Sequence, residues 1–145
     1  MSEDFRRFAH RLGYAGLVPF VLGSALIWLI GGRDLDQHAF VSLALSAWAG
    51  LVIAFLGGIH WGLSFARGLP GRQPLAWGVS AVLLGWLGVL MSPYAGLALH
   101  GGVLIACYVV DRRVYPQLGA ADWLTLRFRL TAVASLSCFL AAAGS

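Results

Sequence analysis

The chain has 145 residues, of which 59% are hydrophobic and only 11% charged, at a mean hydropathy of +0.80. Soluble domains carry about 25% charged residues, so this chain cannot clothe a water-soluble monomer, and its apolar surface must meet lipid. The net charge of +4 comes from ten arginines and no lysine, yet these fall between apolar segments and form no basic stripe, which argues against a nucleic-acid partner.

A polar segment, Met1 to His10, and then Arg11 lead into an apolar run from Leu12 to Gly31. That run outlasts a signal-peptide core and shows no convincing small-x-small cleavage pattern near Gly31 and Gly32, so it is expected to stay attached as a first span. Further apolar runs occupy Ala39–Ala66, Leu75–Met91, Tyr94–Val110 and Trp123–Ala143. Each approaches the ~20 residues a helix needs to cross ~30 Å of hydrocarbon. Only Ser92 and Pro93 separate the third run from the fourth, but the joined stretch is too long for one crossing, and a proline there favours a tight hairpin. The expected architecture is all-α: one membrane domain over residues 1–145, a polytopic five-helix transmembrane bundle.

With the N-terminus inside, nine arginines fall on that side: Arg6, Arg7, Arg11, Arg67, Arg72, Arg112, Arg113, Arg127 and Arg129. Arg33 alone falls on the other, beside Asp34 and Asp36. The positive-inside rule then predicts a cytoplasmic N-terminus and an outer C-terminus in a multi-pass protein.

The second span repeats a small residue every fourth position, at Ser42, Ser46, Gly50, Ala54, Gly58 and Gly62. Such a row lets another backbone approach closely in lipid. Its partner is expected within the chain, with the fourth span and its Ala98, Gly102 and Ala106 as a candidate, or else in a second copy. Cys107 and Cys138 lie inside apolar segments with no Cys-x-x-Cys spacing and read as small buried residues.

The segment Gly57-Gly58-Ile59-His60-Trp61-Gly62 carries the strongest functional signal. His60 precedes Arg67 by seven residues, roughly 10 Å along the helix. It leans toward the helix N-terminus, deeper into the bilayer, so it cannot snorkel out and needs a polar partner. Gly57, three residues earlier, leaves a niche beneath the imidazole. Asp111, at the end of the fourth span, opposes the helix dipole unless a cation is close. If Asp122 caps the fifth helix, Arg129 lies level with His60. Arg11 and Tyr14 open the first span on the same side, and Arg112 follows Asp111.

Two readings stand. In one, the arginines only set topology and His60 is an interhelical hydrogen-bond donor. In the other, His60, Asp111 and Arg129 form a polar binding core with Gly57, Trp61, Arg11, Tyr14 and Arg112 around it, because intramembrane ionisable groups are functional candidates by default. Guanidinium groups suit an anion or a polar head on an apolar tail, so a lipid headgroup or a quinone is the expected ligand type. His100 lies toward the outer side, too far from His60 to share a metal, and no metal site is expected. His10 and His38 read as solvated. Trp28, Trp61, Trp77 and Trp123 fall near helix ends as interfacial anchors, whereas Trp48 and Trp86 lie deeper and pack. No catalytic motif is present.

Four segments carry a resemblance: Leu12-Gly13-Tyr14-Ala15-Gly16-Leu17-Val18-Pro19-Phe20, Phe55 through Gly62, Asp111-Arg112-Arg113, and Trp123 through Thr131. Together they resemble a bacterial membrane family of unknown function that includes mitochondrial transmembrane protein sixty-nine of animals. The resemblance covers nearly the whole chain and implies a small multi-span protein of bacterial inner or mitochondrial membranes, with no activity to carry over. It departs at Leu124, where a tyrosine is expected. Through that resemblance a respiratory complex becomes a candidate partner, beside membrane lipids or a second copy. The leading expectation is noncatalytic binding of an amphiphile, or an accessory or assembly role beside a membrane complex. The alternative is a small transporter or membrane enzyme in which His60 moves protons.

Overall fold

The computed structural model describes every residue from Met1 to Ser145. Its helices are α1 (Glu3–Ala15), α2 (Val18–Ile30), α3 (Leu35–Arg67), α4 (Gln73–Leu90), α5 (Pro93–Val114) and α6 (Leu124–Gly144), with a 3-10 turn at Ala121–Trp123 before α6. Five segments are long and apolar enough to cross a membrane, α1 and α2 together making the first. The protein is an all-α, five-span membrane bundle.

The first span is not the single helix expected over 12–31. Pro19 has no N–H to offer the Ala15 carbonyl four residues back, and its ring crowds that carbonyl, so the helix breaks at Ala15 and restarts at Val18. What precedes the break is itself helical: the Ser2 hydroxyl accepts from the Phe5 N–H at 3.2 Å, with Glu3 and Asp4 in the first turn. No residue of α1 is buried. Phe5, Phe8 and Leu12 lie exposed along one side, Arg6, Arg7 and Arg11 on the other.

Asp34 caps α3 through a 3.0 Å bond from the Gln37 N–H, and Gly68, at φ +60°, ends it in the left-handed conformation that suits glycine. At 1.5 Å per residue its 33 residues extend about 50 Å. That exceeds the ~30 Å hydrocarbon core, so α3 either tilts or projects from the bilayer. The other end of the bundle is closed by side chains on α6 carbonyls. Trp28 donates to Leu140 at 2.8 Å and His38 to Gly144 at 2.9 Å, so His38 is tied down and part-buried rather than solvated.

Helix α3 is the central packing element, but only part of its row of small residues does the packing. Ser42, Ser46 and Gly50 are buried, whereas Gly58 and Gly62 are exposed and an added Cβ would meet nothing within 4 Å. A four-residue step advances 400° around a helix and drifts about 40° each time, so the row rotates off the interface. Seven-residue steps hold the face: Gly50, Gly57 and Ser64 are buried, as are Ser46, Ile53 and His60. The main partner is α4; the expected fourth span, α5, meets the row at Ser46, 3.4 Å from His100 Nδ1, but its Gly102 meets nothing. A Cβ on Gly50 would lie 3.0 Å from the Gly85 carbonyl oxygen, and one on Gly57 would lie 2.8 Å from that of Gly78. These paired approaches run antiparallel and bring backbone against backbone. Gly57 is thus a packing residue, and the niche expected there is filled by α4. Cys107 and Cys138 are free and buried, and large side chains such as Phe40, Leu51 and Phe55 face outward, as lipid contact requires.

Gly57→Ala is expected to destabilise the bundle by about 1–3 kcal/mol through overpacking, read as reversible unfolding in detergent. Gly58→Ala, on the open face, should be neutral or stabilising.

Candidate functional site

Three helix ends meet where α3 stops, α5 stops and α6 begins. The carboxylate of Asp111 is fully enclosed there. His60 Nε2 lies 2.6 Å from Asp111 Oδ1, and a carboxylate can only accept, so Nε2 carries the proton and donates. Arg127 Nε donates to Asp111 Oδ2 at 2.8 Å, Nη2 lies 2.8 Å from the same oxygen, and Nη1 donates to Thr131 Oγ1 at 3.2 Å. His60 and Arg127 are buried as well. This ion pair of Asp111 and Arg127, flanked by an imidazole, is the most strongly desolvated charge cluster in the molecule.

Of the eight candidate binding residues, only His60 and Asp111 join the buried cluster. The cation that Asp111 requires is Arg127, not Arg129. No side chain caps α6, and Asp122 sits exposed in the 3-10 turn, so the register drawn from an Asp122 cap fails. Residues 127 and 129 lie about 200° apart on a helix, and only one can face inward. Arg129 is exposed and reaches Tyr14 Oη at 3.3 Å, which fastens α1 to α6 from outside. Arg11 and Arg112 are also exposed. Trp61 braces α3 against α4 by donating to the Leu75 carbonyl at 2.9 Å.

Sequence reasoning missed Arg127, Thr131, Tyr115 and Ser64, although the signal for Arg127 was present. Residues 127, 131, 134, 138 and 141 form one stripe, Arg-Thr-Ala-Cys-Ala, and small or polar residues face inward in a membrane bundle. Arg129 shares its side of α6 with Val133, Leu136 and Leu140, all lipid-facing. Tyr115 and Ser64 are buried by the turn after α5 and the last turn of α3. In that turn Gly119, at φ +73°, lies against the Arg67 guanidinium with no room for a Cβ.

The cluster is not closed on itself. His60 Nδ1, Ser64 Oγ, Tyr115 Oη and Arg127 Nη2 are buried without an aligned hydrogen-bond partner. The Tyr115 ring stands 6.0 Å from that of His60. Burial, then the charge of Asp111, pushes its phenol well above the ordinary range, so it remains a hydroxyl donor. Beside these groups lies a cleft of about 780 Å³ bounded by α1, α2, α3, α6 and the α5–α6 turn. Of its 23 lining residues 18 are hydrophobic, and Arg127 is the only charged one. Tyr115 and Thr131 join Arg127 on the lining, Trp48 and Trp123 contribute aromatic walls, and exposed Leu12, Leu51 and Phe55 mark the open side. Helix α1, beyond the break, packs against α6 and makes little contact with α3.

Asp111→Asn leaves Arg127 buried without its counter-charge and should cost about 3–5 kcal/mol in unfolding measurements. Pairing it with Arg127→Met should recover much of that loss, a coupling that independent surface residues would not show.

A family model described as a protein of unknown function, DUF3429, matches residues 5–143. Transmembrane protein 69 of Xenopus tropicalis is 32% identical over 91 residues, which make up 61% of this chain and 34% of the frog protein. The matched stretch therefore spans about a third of that relative's length. No solved structure matches the chain. With nearly all of its length under the family model, the chain belongs to the DUF3429 family of membrane proteins of unknown function.

Proposed function

We propose that the protein binds a membrane amphiphile, polar head against Arg127, Tyr115 and Thr131 and apolar tail along the cleft. The observation that carries this reading is the cleft itself: a volume of about 780 Å³, mostly apolar, with its one charged residue at the buried cluster. Pockets of this size and lining take small molecules. Arg127 and Tyr115, both on the lining, supply the polar groups that orient a head. The open side at Leu51 and Phe55 lets a chain longer than the cleft trail into lipid.

In this reading the arginine-rich end faces the cytoplasm in a bacterial inner membrane, because nine of ten arginines lie at that end of the spans. The role is to hold the amphiphile, on its own or beside a membrane complex, rather than to transform it. A reporter fused after Ser145 should respond on the outer side; a cytoplasmic signal would overturn the orientation.

Mass spectrometry of protein extracted in mild detergent should find one amphiphile class retained in near-stoichiometric amount. Val52→Trp, which projects bulk into the cleft from α3, should melt like wild type and lose that mass. Retention in both, or in neither, would sink the binding reading.

A further inference from the structure

The balance of charge at the head of the cleft narrows the ligand class beyond an amphiphile. Asp111 accepts from His60 Nε2–H and from Arg127, so its carboxylate and the guanidinium form an ion pair at the head of the cleft. Their charges cancel. Both Asp111 oxygens are engaged and their negative charge lies immediately behind Arg127, so a phosphate brought to the guanidinium would also meet a carboxylate in a medium that screens poorly. The arginines that could attract an anion, Arg11 and Arg129 among them, do not line the cleft. What the head region lacks is an acceptor. Arg127 and Tyr115 both line the cavity, with Arg127 Nη2 in the ion pair and the Tyr115 hydroxyl enclosed beside it. Five aromatic rings, those of Trp48, Trp123 and Tyr115 among them, give its walls flat faces.

Resting on the amphiphile reading above, we propose that the ligand is uncharged and planar-headed with carbonyl acceptors, the chemistry of a prenylated quinone. One ring carbonyl accepts from Arg127 and Tyr115, the ring lies among the aromatic side chains, and the isoprenoid tail leaves between Leu51 and Phe55. An anionic phospholipid is the rejected alternative. Its glycerol esters match the cleft no better than a quinone does, and its phosphate repels Asp111.

The test uses the intact protein in nanodiscs of zwitterionic lipid, with decylubiquinone as probe and tryptophan emission as readout, since Trp48 and Trp123 line the cleft. Saturable quenching is expected. Dioctanoyl phosphatidylglycerol should fail to reverse it, and Tyr115→Phe or Thr131→Val should each weaken it by about three- to tenfold, the scale of one net hydrogen bond. Both variants are checked first for wild-type melting. Should the phosphatidylglycerol displace the quinone, or uncharged dioctanoylglycerol bind as tightly, the quinone assignment falls while amphiphile binding stands. Should none of the three probes bind, and no retained amphiphile be found by mass spectrometry, the broader reading falls with it. Quenching unaffected by both substitutions would place the quinone elsewhere and overturn the proposal.

Discussion

A carboxylate held away from water inside a membrane bundle determines how three of these helices meet. Asp111 sits at the C-terminal end of α5, where the helix's own carbonyls already concentrate negative charge. Leaving it ionised and alone there would cost several kcal/mol. Arg127 must therefore come from the first turn of α6 and His60 from the last turns of α3, and those demands fix the rotation of both helices about their axes. Once Arg127 faces inward, Thr131, Ala134, Cys138 and Ala141 follow it into the core and Arg129 is turned out. The short connection from α5 to α6, with Tyr115, Leu118 and Ala120 buried, closes over the cluster.

The second constraint is close backbone contact. Lipid tails are as apolar as leucine, so burying leucine supplies little drive for helices to associate, and the α3–α4 pair depends instead on glycines meeting at two levels. That tight pair occupies one side of α3. Its other side faces α2, while α1 is held to α6 and the turn before it by the Tyr14–Arg129 bond, the His10–Trp123 ring contact and the packing of Gly13 on Leu126 and Leu130. The cleft opens between these elements, next to the cluster.

The span count, the hairpin at Pro93 and the pairing of His60 with Asp111 were legible in the sequence because each follows from local rules: run length, a missing N–H, the need of a buried ion for a partner. Which arginine answers Asp111 was not. That depended on the rotation of α6 about its axis: its start, expected at Trp123 and found at Leu124, does not say which of Arg127 and Arg129, on opposite sides of the helix, faces inward. The row at every fourth residue of α3 misled for a related reason. Its composition was right, but a straight helix cannot keep such a row on one face beyond about three turns. The break at Pro19 was encoded too, but the unbroken apolarity of Leu12–Gly31 masked it. The cleft, which arises between elements distant in the chain, left no local trace.

The two intramembrane histidines of this chain show why one is read as structural and the other as part of a site. His100 has both ring nitrogens engaged: Nε2 lies 2.9 Å from the Gly85 carbonyl oxygen, and Nδ1 is 3.4 Å from Ser46 Oγ. Gly88 lies so close against its ring that even a methyl group would not fit. Nothing else can reach it, and its role is to join α3, α4 and α5. His60 is equally buried, yet only one nitrogen is committed, its neighbours Ser64 and Tyr115 are also unfilled, and a lipid-facing cleft adjoins the same cluster. A bundle built only for stability would be expected to satisfy those groups as it satisfied His100, since each buried polar atom without a partner costs about 1–3 kcal/mol. Their concentration at one end of the molecule, beside an apolar cleft of about 780 Å³, is the pattern expected when a bound molecule completes the hydrogen bonding that the chain leaves open.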